Sequence, residues 1–109
     1  MPSFSTIFTI PLATALALAA TRVSAETTLD IMRELMDDVI LVSDAQLRKA
    51  CYSILKQTHN LAEGAGAAAL AAAFKHRDQF QGQNVVGILS GGNLDLKELP
   101  AILEAGELR

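Results

Sequence analysis

Apolar positions at helical spacing open the readable part of the chain. Leu29, Met32, Leu35 and Met36 alternate with acids and Arg33, which predicts a helix from Thr28 to about Asp37-Asp38. Val39-Ile40-Leu41-Val42 is a short, largely β-branched run suited to a buried strand. Ser43-Asp44-Ala45-Gln46 then carries a capping-box signature for a second helix. Its apolar stripe is Leu47, Ala50, Cys51, Ile54 and Leu55, and it should stop near His59-Asn60. Glu63-Gly64-Ala65-Gly66 reads as a flexible turn, and Ala67 to His76 as a helix by propensity. A turn around Gly82 precedes a second strand, Asn84 to Leu89, and Ser90-Gly91-Gly92-Asn93 forms a loop off its C-terminal end. Pro100 fits the first turn of a last short helix through Leu103. Strands alternating with helices predict an α/β arrangement with parallel pairing. Ligands in such sheets sit beyond the carboxyl ends of strands, where the Ser90 loop falls.

The first 25 residues fit this pattern less well. Ile7 to Ala20 is nearly all apolar, and Val23-Ser24-Ala25 before Glu26 has the small-residue look of a signal-peptide cleavage site. Against export, no Lys or Arg precedes the run, and Arg22 sits between it and the cleavage site. The run is also too short and Pro-interrupted for a transmembrane helix. Residues 1–20 are therefore set apart as an unassigned apolar N-terminus, signal-like or degraded, with the domain proper at 21–109.

Composition narrows the function classes. Half of the 109 residues are hydrophobic, but aromatics make up only 5% and alanine fills much of the apolar quota, so a core built from this chain alone would be shallow. Burial against further chain, or against a second copy in a homo-oligomer, is expected. A net charge of −3 without a Lys/Arg cluster gives no footprint for nucleic acid. The single cysteine, Cys51, excludes an internal disulfide and fits a reducing, cytoplasmic setting, with export the alternative if residues 1–25 are a signal peptide. No His/Cys spacing resembles a zinc site, and Asp30, Glu34, Asp37 and Asp38 read as a solvated acidic face.

Two motifs in order, Glu63-Gly64-Ala65-Gly66-Ala67 and Val85 to Asn93, together with the segment from Asp37 to Asp44, resemble the C-terminal part of the pyridoxal-phosphate-dependent threonine/serine dehydratases. This family shares its fold with serine racemase and the tryptophan synthase β chain. The resemblance covers roughly Thr21 to Leu103 and implies part of a three-layer, fold-type-II domain. It also implies pyridoxal 5′-phosphate as cofactor, a small hydroxy amino acid as substrate, and conversion of that substrate to a 2-oxo acid and ammonia. By the same resemblance, Ser90 contacts the pyridine nitrogen, Gly91 and Gly92 let the backbone approach the ring in conformations open to glycine, Asn93 pins the loop, and Glu63 lies near the ring. An alternative for Glu63 is a carboxylate favouring a helix N-terminus.

The family's cofactor-bearing lysine follows an aromatic residue, and Lys49 and Lys56 do not fit that pattern. That lysine and the phosphate-binding glycine loop are expected upstream of Met1. The chain by itself is therefore predicted to hold no catalytic residue and to be inactive. Two other readings stand beside a lyase fragment: a non-catalytic remnant that folds by oligomerising, and a small exported protein. Cys51 reads as a core thiol, and His59 and His76 as helix-end residues.

Overall fold

The computed structural model describes residues 4–10, 14–18, 26–35 and 37–109. Met36 of the first apolar stripe, the Val23–Ala25 site and the 20/21 boundary lie outside the described residues. Four strands and four helices follow in the order β1 (Phe4–Ile10), β2 (Thr14–Leu18), α1 (Glu26–Leu35), β3 (Asp38–Ser43), α2 (Asp44–Thr58), α3 (Gly64–Lys75), β4 (Val86–Gly87) and α4 (Leu99–Ala105). A single 3₁₀ turn, Leu96–Glu98, leads into α4.

Helix and strand do form a mixed α/β unit, but the sheet is not uniformly parallel. Its order is β3-β1-β2-β4, with β1 antiparallel to both β3 and β2 and only β2–β4 parallel. The two strands expected from the sequence, β3 and β4, point the same way yet do not pair. β1 and β2 lie between them, leaving β3 and β4 at the two edges. Edge position explains why β4 is only Val86–Gly87, paired at Thr14↔Val86 and Ala15↔Gly87, instead of the six-residue strand the pattern predicts.

β3 is buried on one face, not both. Ile40 and Val42 are 8% and 0% exposed, whereas Val39 and Leu41 between them are 40% and 48% exposed, the alternation that a pleated strand with one covered face must show. The covering element is α3, which packs against β1, β2 and β3 and also against α2. Gly66, Ala67, Ala68 and Ala69 are buried in succession. Successive residues turn 100° about a helix axis, so four in a row means that α3 is enclosed on nearly every side. Only small side chains fit there, and this is the use to which the alanine-rich segment is put.

α2 starts at a complete capping box. The Gln46 amide donates to Ser43 Oγ at 3.3 Å, and the Ser43 amide donates to Gln46 Oε1 at 2.9 Å. It ends at His59, which adopts the left-handed conformation (φ 58°) and donates its N–H to the Leu55 carbonyl. Leu47, Ala50, Cys51 and Ile54 are buried as the stripe predicts, and Leu55 is half-buried. α2 also carries α4, whose Ile102 is buried. The Leu108 amide donates to Ser53 Oγ at 3.0 Å, and Lys56 pairs with Glu107, so the C-terminal residues are tied back onto α2.

Substituting Ser43→Ala should cost about 1 kcal/mol by removing the cap. Ala68→Leu should cost more, about 1–3 kcal/mol, because Ala68 is fully buried on a helix packed against three strands and α2. Urea unfolding of each variant checks both, and an equal or larger loss at Ser43 would contradict the enclosed position of α3.

Candidate functional site

Glu63 to Gly66 is not a free turn. Gly64, Ala65 and Gly66 form the first turn of α3, and Glu63 is its N-cap residue, with extended backbone (φ −73°, ψ 166°) and its carbonyl accepting from the Ala67 amide at 3.0 Å. The Glu63 side chain makes no capping hydrogen bond. It lies instead along Gly91, where a Cβ on Gly91 would meet Glu63 Oε1. The Glu63 N–H donates to the Gly91 carbonyl at 3.3 Å. The two motifs that stand far apart in sequence are therefore in direct contact.

The glycines of the Ser90 loop serve this contact and not unusual torsions. Among the described residues, only Gly82 and Gly106 are glycines at positive φ. A Cβ on Gly92 would come within 2.6 Å of the Leu61 carbonyl oxygen, and one on Gly66 would meet the Gly91 carbonyl. The stretch 61–66 and the loop thus approach with no room for side chains between them. Asn93 is exposed, and its side chain makes no hydrogen bond among the described residues. The turn there is closed instead by the Leu94 amide donating to the Gly92 carbonyl at 2.8 Å.

Ser90 lies three residues past the end of β4 and is exposed, its hydroxyl without a partner among the described residues. Such a hydroxyl, held on a fixed backbone beyond the carboxyl end of a strand, suits the nitrogen end of a flat heteroaromatic ring: it can donate one hydrogen bond and carries no charge. The residues present therefore fit that end of pyridoxal phosphate. A carboxylate, Glu63, stands on the inner side of the same loop.

Lys49, Lys56 and Lys75 are not part of this loop. Lys75 does follow an aromatic residue, Phe74. Its Nζ donates to the Leu41 carbonyl on edge strand β3 at 2.6 Å. It also lies nine residues along α3 from Gly66, about 13 Å at the helical rise, well away from the Ser90 loop. Lys49 is exposed, and Lys56 is engaged with Glu107. That pairing, a hydrogen bond first and charge attraction second, raises the Lys56 pKa. Among the described residues no three His, Cys, Asp or Glu side chains gather as a metal site would require, and no helix is long and apolar enough to cross a membrane.

A family match runs through the Glu63 motif and into the Ser90 loop. The sequence model of the family "Pyridoxal-phosphate dependent enzyme" matches residues 4–91, more than half of the chain. The chain belongs to this family. The match takes in Ser90 and Gly91 and begins at Phe4, so the apolar stretch that looks signal-like lies largely within it. An L-threonine ammonia-lyase of Geobacter sulfurreducens is 39% identical over 79 residues, 72% of this chain and 20% of that protein. A catabolic L-threonine dehydratase of Escherichia coli K12 is 40% identical over 77 residues, covering 69% and 23%. A Staphylococcus aureus enzyme with the same designation is 33% identical over 88 residues, covering 78% and 25%. The chain thus spans about a fifth to a quarter of the length of these relatives. No solved structure matches it significantly.

Cys51 faces Gly64 and Leu94 in a cleft of about 290 Å³ beside α4, but it is a core thiol and only 3% exposed. Burial pushes its pKa up from 9.0 to about 11, and the Glu63 charge adds to the rise. The folded chain then keeps a proton that the unfolded chain loses between pH 9 and about 11. Stability should be independent of this group below pH 9 and fall as pH rises through that window. Cys51 should also resist thiol reagents at pH 8 until the chain is unfolded in urea. Fast labelling of the native chain would contradict its burial.

Proposed function

We propose that the chain is the C-terminal portion of the catalytic domain of a threonine/serine ammonia-lyase and supplies the wall that meets the pyridine nitrogen of pyridoxal phosphate. The observation that carries this reading is the seating of the Ser90 loop on Glu63 and Gly66, with the Ser90 hydroxyl left unpartnered at the carboxyl end of β4. The names of the dehydratase relatives support the substrate class, a hydroxy amino acid such as L-threonine. The finer architecture, a three-layer domain with a larger parallel sheet, belongs to the whole protein in this reading.

The bound cofactor would supply an electron-withdrawing ring that makes the substrate's α-proton removable. Ser90 would donate its hydroxyl hydrogen to the ring nitrogen and leave that nitrogen unprotonated. A neutral hydroxyl therefore keeps the ring a moderate electron sink, suited to α-proton loss coupled with departure of the β-hydroxyl. Gly91 and Gly92 would hold the loop backbone at a fixed height beside the ring, and Asn93 would border it. Glu63 would set a negative charge behind the loop without touching the ring nitrogen. The lysine and the phosphate-binding loop would come from sequence preceding this portion, so the chain alone would be inactive.

Packing against that preceding part, or against a second copy, would cover the apolar surface that remains open. Val85, Ile88 and Leu89 are exposed beside Leu70 along a groove of about 380 Å³, and Val86, with Val39 and Leu41 on β3, is exposed as well. A cytoplasmic setting accords with a buried free thiol. The exposed apolar groove also favours a second reading, a stand-alone remnant that folds only as an oligomer.

Purified chain given L-threonine and pyridoxal phosphate should release no more ammonia than the cofactor alone, and measurable excess would refute the inactive-fragment reading. Sedimentation across a concentration series should give concentration-dependent association; a monomer at every concentration that fails to bind an apolar dye would contradict the need for a covering partner. An immunoblot of the source cells against Gln79–Gly92 separates the two readings. A band at roughly three times 11.6 kDa, the size of a two-lobed catalytic unit, supports the lyase portion, and one at 11.6 kDa supports the remnant.

A further inference from the structure

We infer that Gly66 is the positioning residue of the Ser90 loop: the missing side chain at this one point of α3 sets where the Ser90 hydroxyl stands. The inference rests on the reading of Ser90 as the residue at the ring nitrogen, but its physical content is local to the chain.

Gly64 and Gly66 occupy the same helical turn and are alike in sequence, yet their surroundings differ. A Cβ on Gly64 would meet only the Leu47 side chain, at 3.7 Å and 4.0 Å, which is ordinary van der Waals contact. A Cβ on Gly66 would collide with the Gly91 carbonyl oxygen and lie 3.1 Å from the Gly91 nitrogen and 3.2 Å from its carbonyl carbon. Every one of these atoms is backbone, so no rotamer change can relieve the clash. Either α3 or the loop must move. α3 is enclosed by β1, β2, β3 and α2, with Ala67, Ala68, Ala71 and Ala72 buried, whereas Gly92, Asn93 and Ser90 are exposed. The loop is the part that can yield, and Ser90 is joined directly to Gly91.

Two further contacts act in the same direction. The Glu63 N–H holds the Gly91 carbonyl at 3.3 Å, and the Leu61 carbonyl sits where a Gly92 side chain would be. The loop is thus fixed by the shape of a backbone surface and one amide hydrogen bond, without a side-chain hydrogen bond from Ser90 or Asn93 among the described residues. Such a seat holds a hydroxyl in place while leaving its hydrogen-bonding capacity free for a ligand.

The test compares Gly66→Ala with Gly64→Ala in the 109-residue chain. Both substitutions replace glycine by a better helix former in the same turn, so a merely structural effect would be shared. Backbone amide NMR spectra should show the resonances of Ser90 to Asn93 displaced in Gly66→Ala and unmoved in Gly64→Ala. Exchange of the Glu63 amide hydrogen should accelerate at least about tenfold in Gly66→Ala alone, as expected when its acceptor is displaced. Equal loop shifts in the two variants, or none in Gly66→Ala, would overturn the inference. If Gly66→Ala does not fold, Gly92→Ala decides the matter, since it lifts the same loop against the Leu61 carbonyl with α3 intact. Displaced Ser90 and Gly91 resonances then support the inference, and undisturbed ones overturn it. These readouts need no cofactor, so they stand apart from the ammonia and immunoblot measurements that test the lyase reading.

Discussion

Enclosure of α3 is the constraint on which the other elements depend. The helix has three strands and α2 packed around it, and its buried positions are glycine and alanine because only a Cβ-sized gap separates it from its neighbours. Close approach has two consequences. Packing contacts are gained from backbone and Cβ atoms, so a tight interior forms although little apolar area is buried per residue. Elements that touch α3 are also placed to within the thickness of a methyl group. At Gly87, for instance, a Cβ would come within 3.3 Å of the Ala69 Cβ.

The same economy limits what the chain can do alone. Among the described residues Val42 is the largest side chain that is fully buried, while valines, leucines and isoleucines on β3, on α3 and along residues 85–89 remain open. An alanine interior holds the layers at the right spacing but buries too little apolar area to make an independent domain robust. A unit of this kind is suited to packing into a larger body, and the short coverage of the dehydratase relatives agrees with that. The candidate site has the same character. It offers one neutral hydroxyl on a rigid loop, with a carboxylate behind it, and the chemistry that would use it must be assembled with other groups.

Much of this organisation could be read from the residues. The capping box at Ser43, the buried stripe from Leu47 to Ile54, the helix rich in alanine and the pairing of the Glu63 and Ser90 motifs with one enzyme family all follow from local pattern. Three features could not be read this way. Glu63 to Gly66 is the N-cap and first helical turn of α3 because the turn is held by packing, which local propensity for glycine does not report. β4 is cut to two residues because it lies at the sheet edge, and edge or centre is a property of the whole sheet. The loop glycines are required by what lies beneath them, not by their own torsions.

Local sequence determines which segments are helical or extended and which family's motifs they carry, because caps, periodicity and propensity act within a few residues. It also determines that α3 presents small side chains to its neighbours. Tertiary structure alone decided that β1 and β2 stand between the two strands the pattern revealed, and that the Gly91 backbone rests on Gly66. Strand order and backbone-to-backbone contact join residues distant in the chain, and they depend on the shape left between packed layers, which no local pattern encodes.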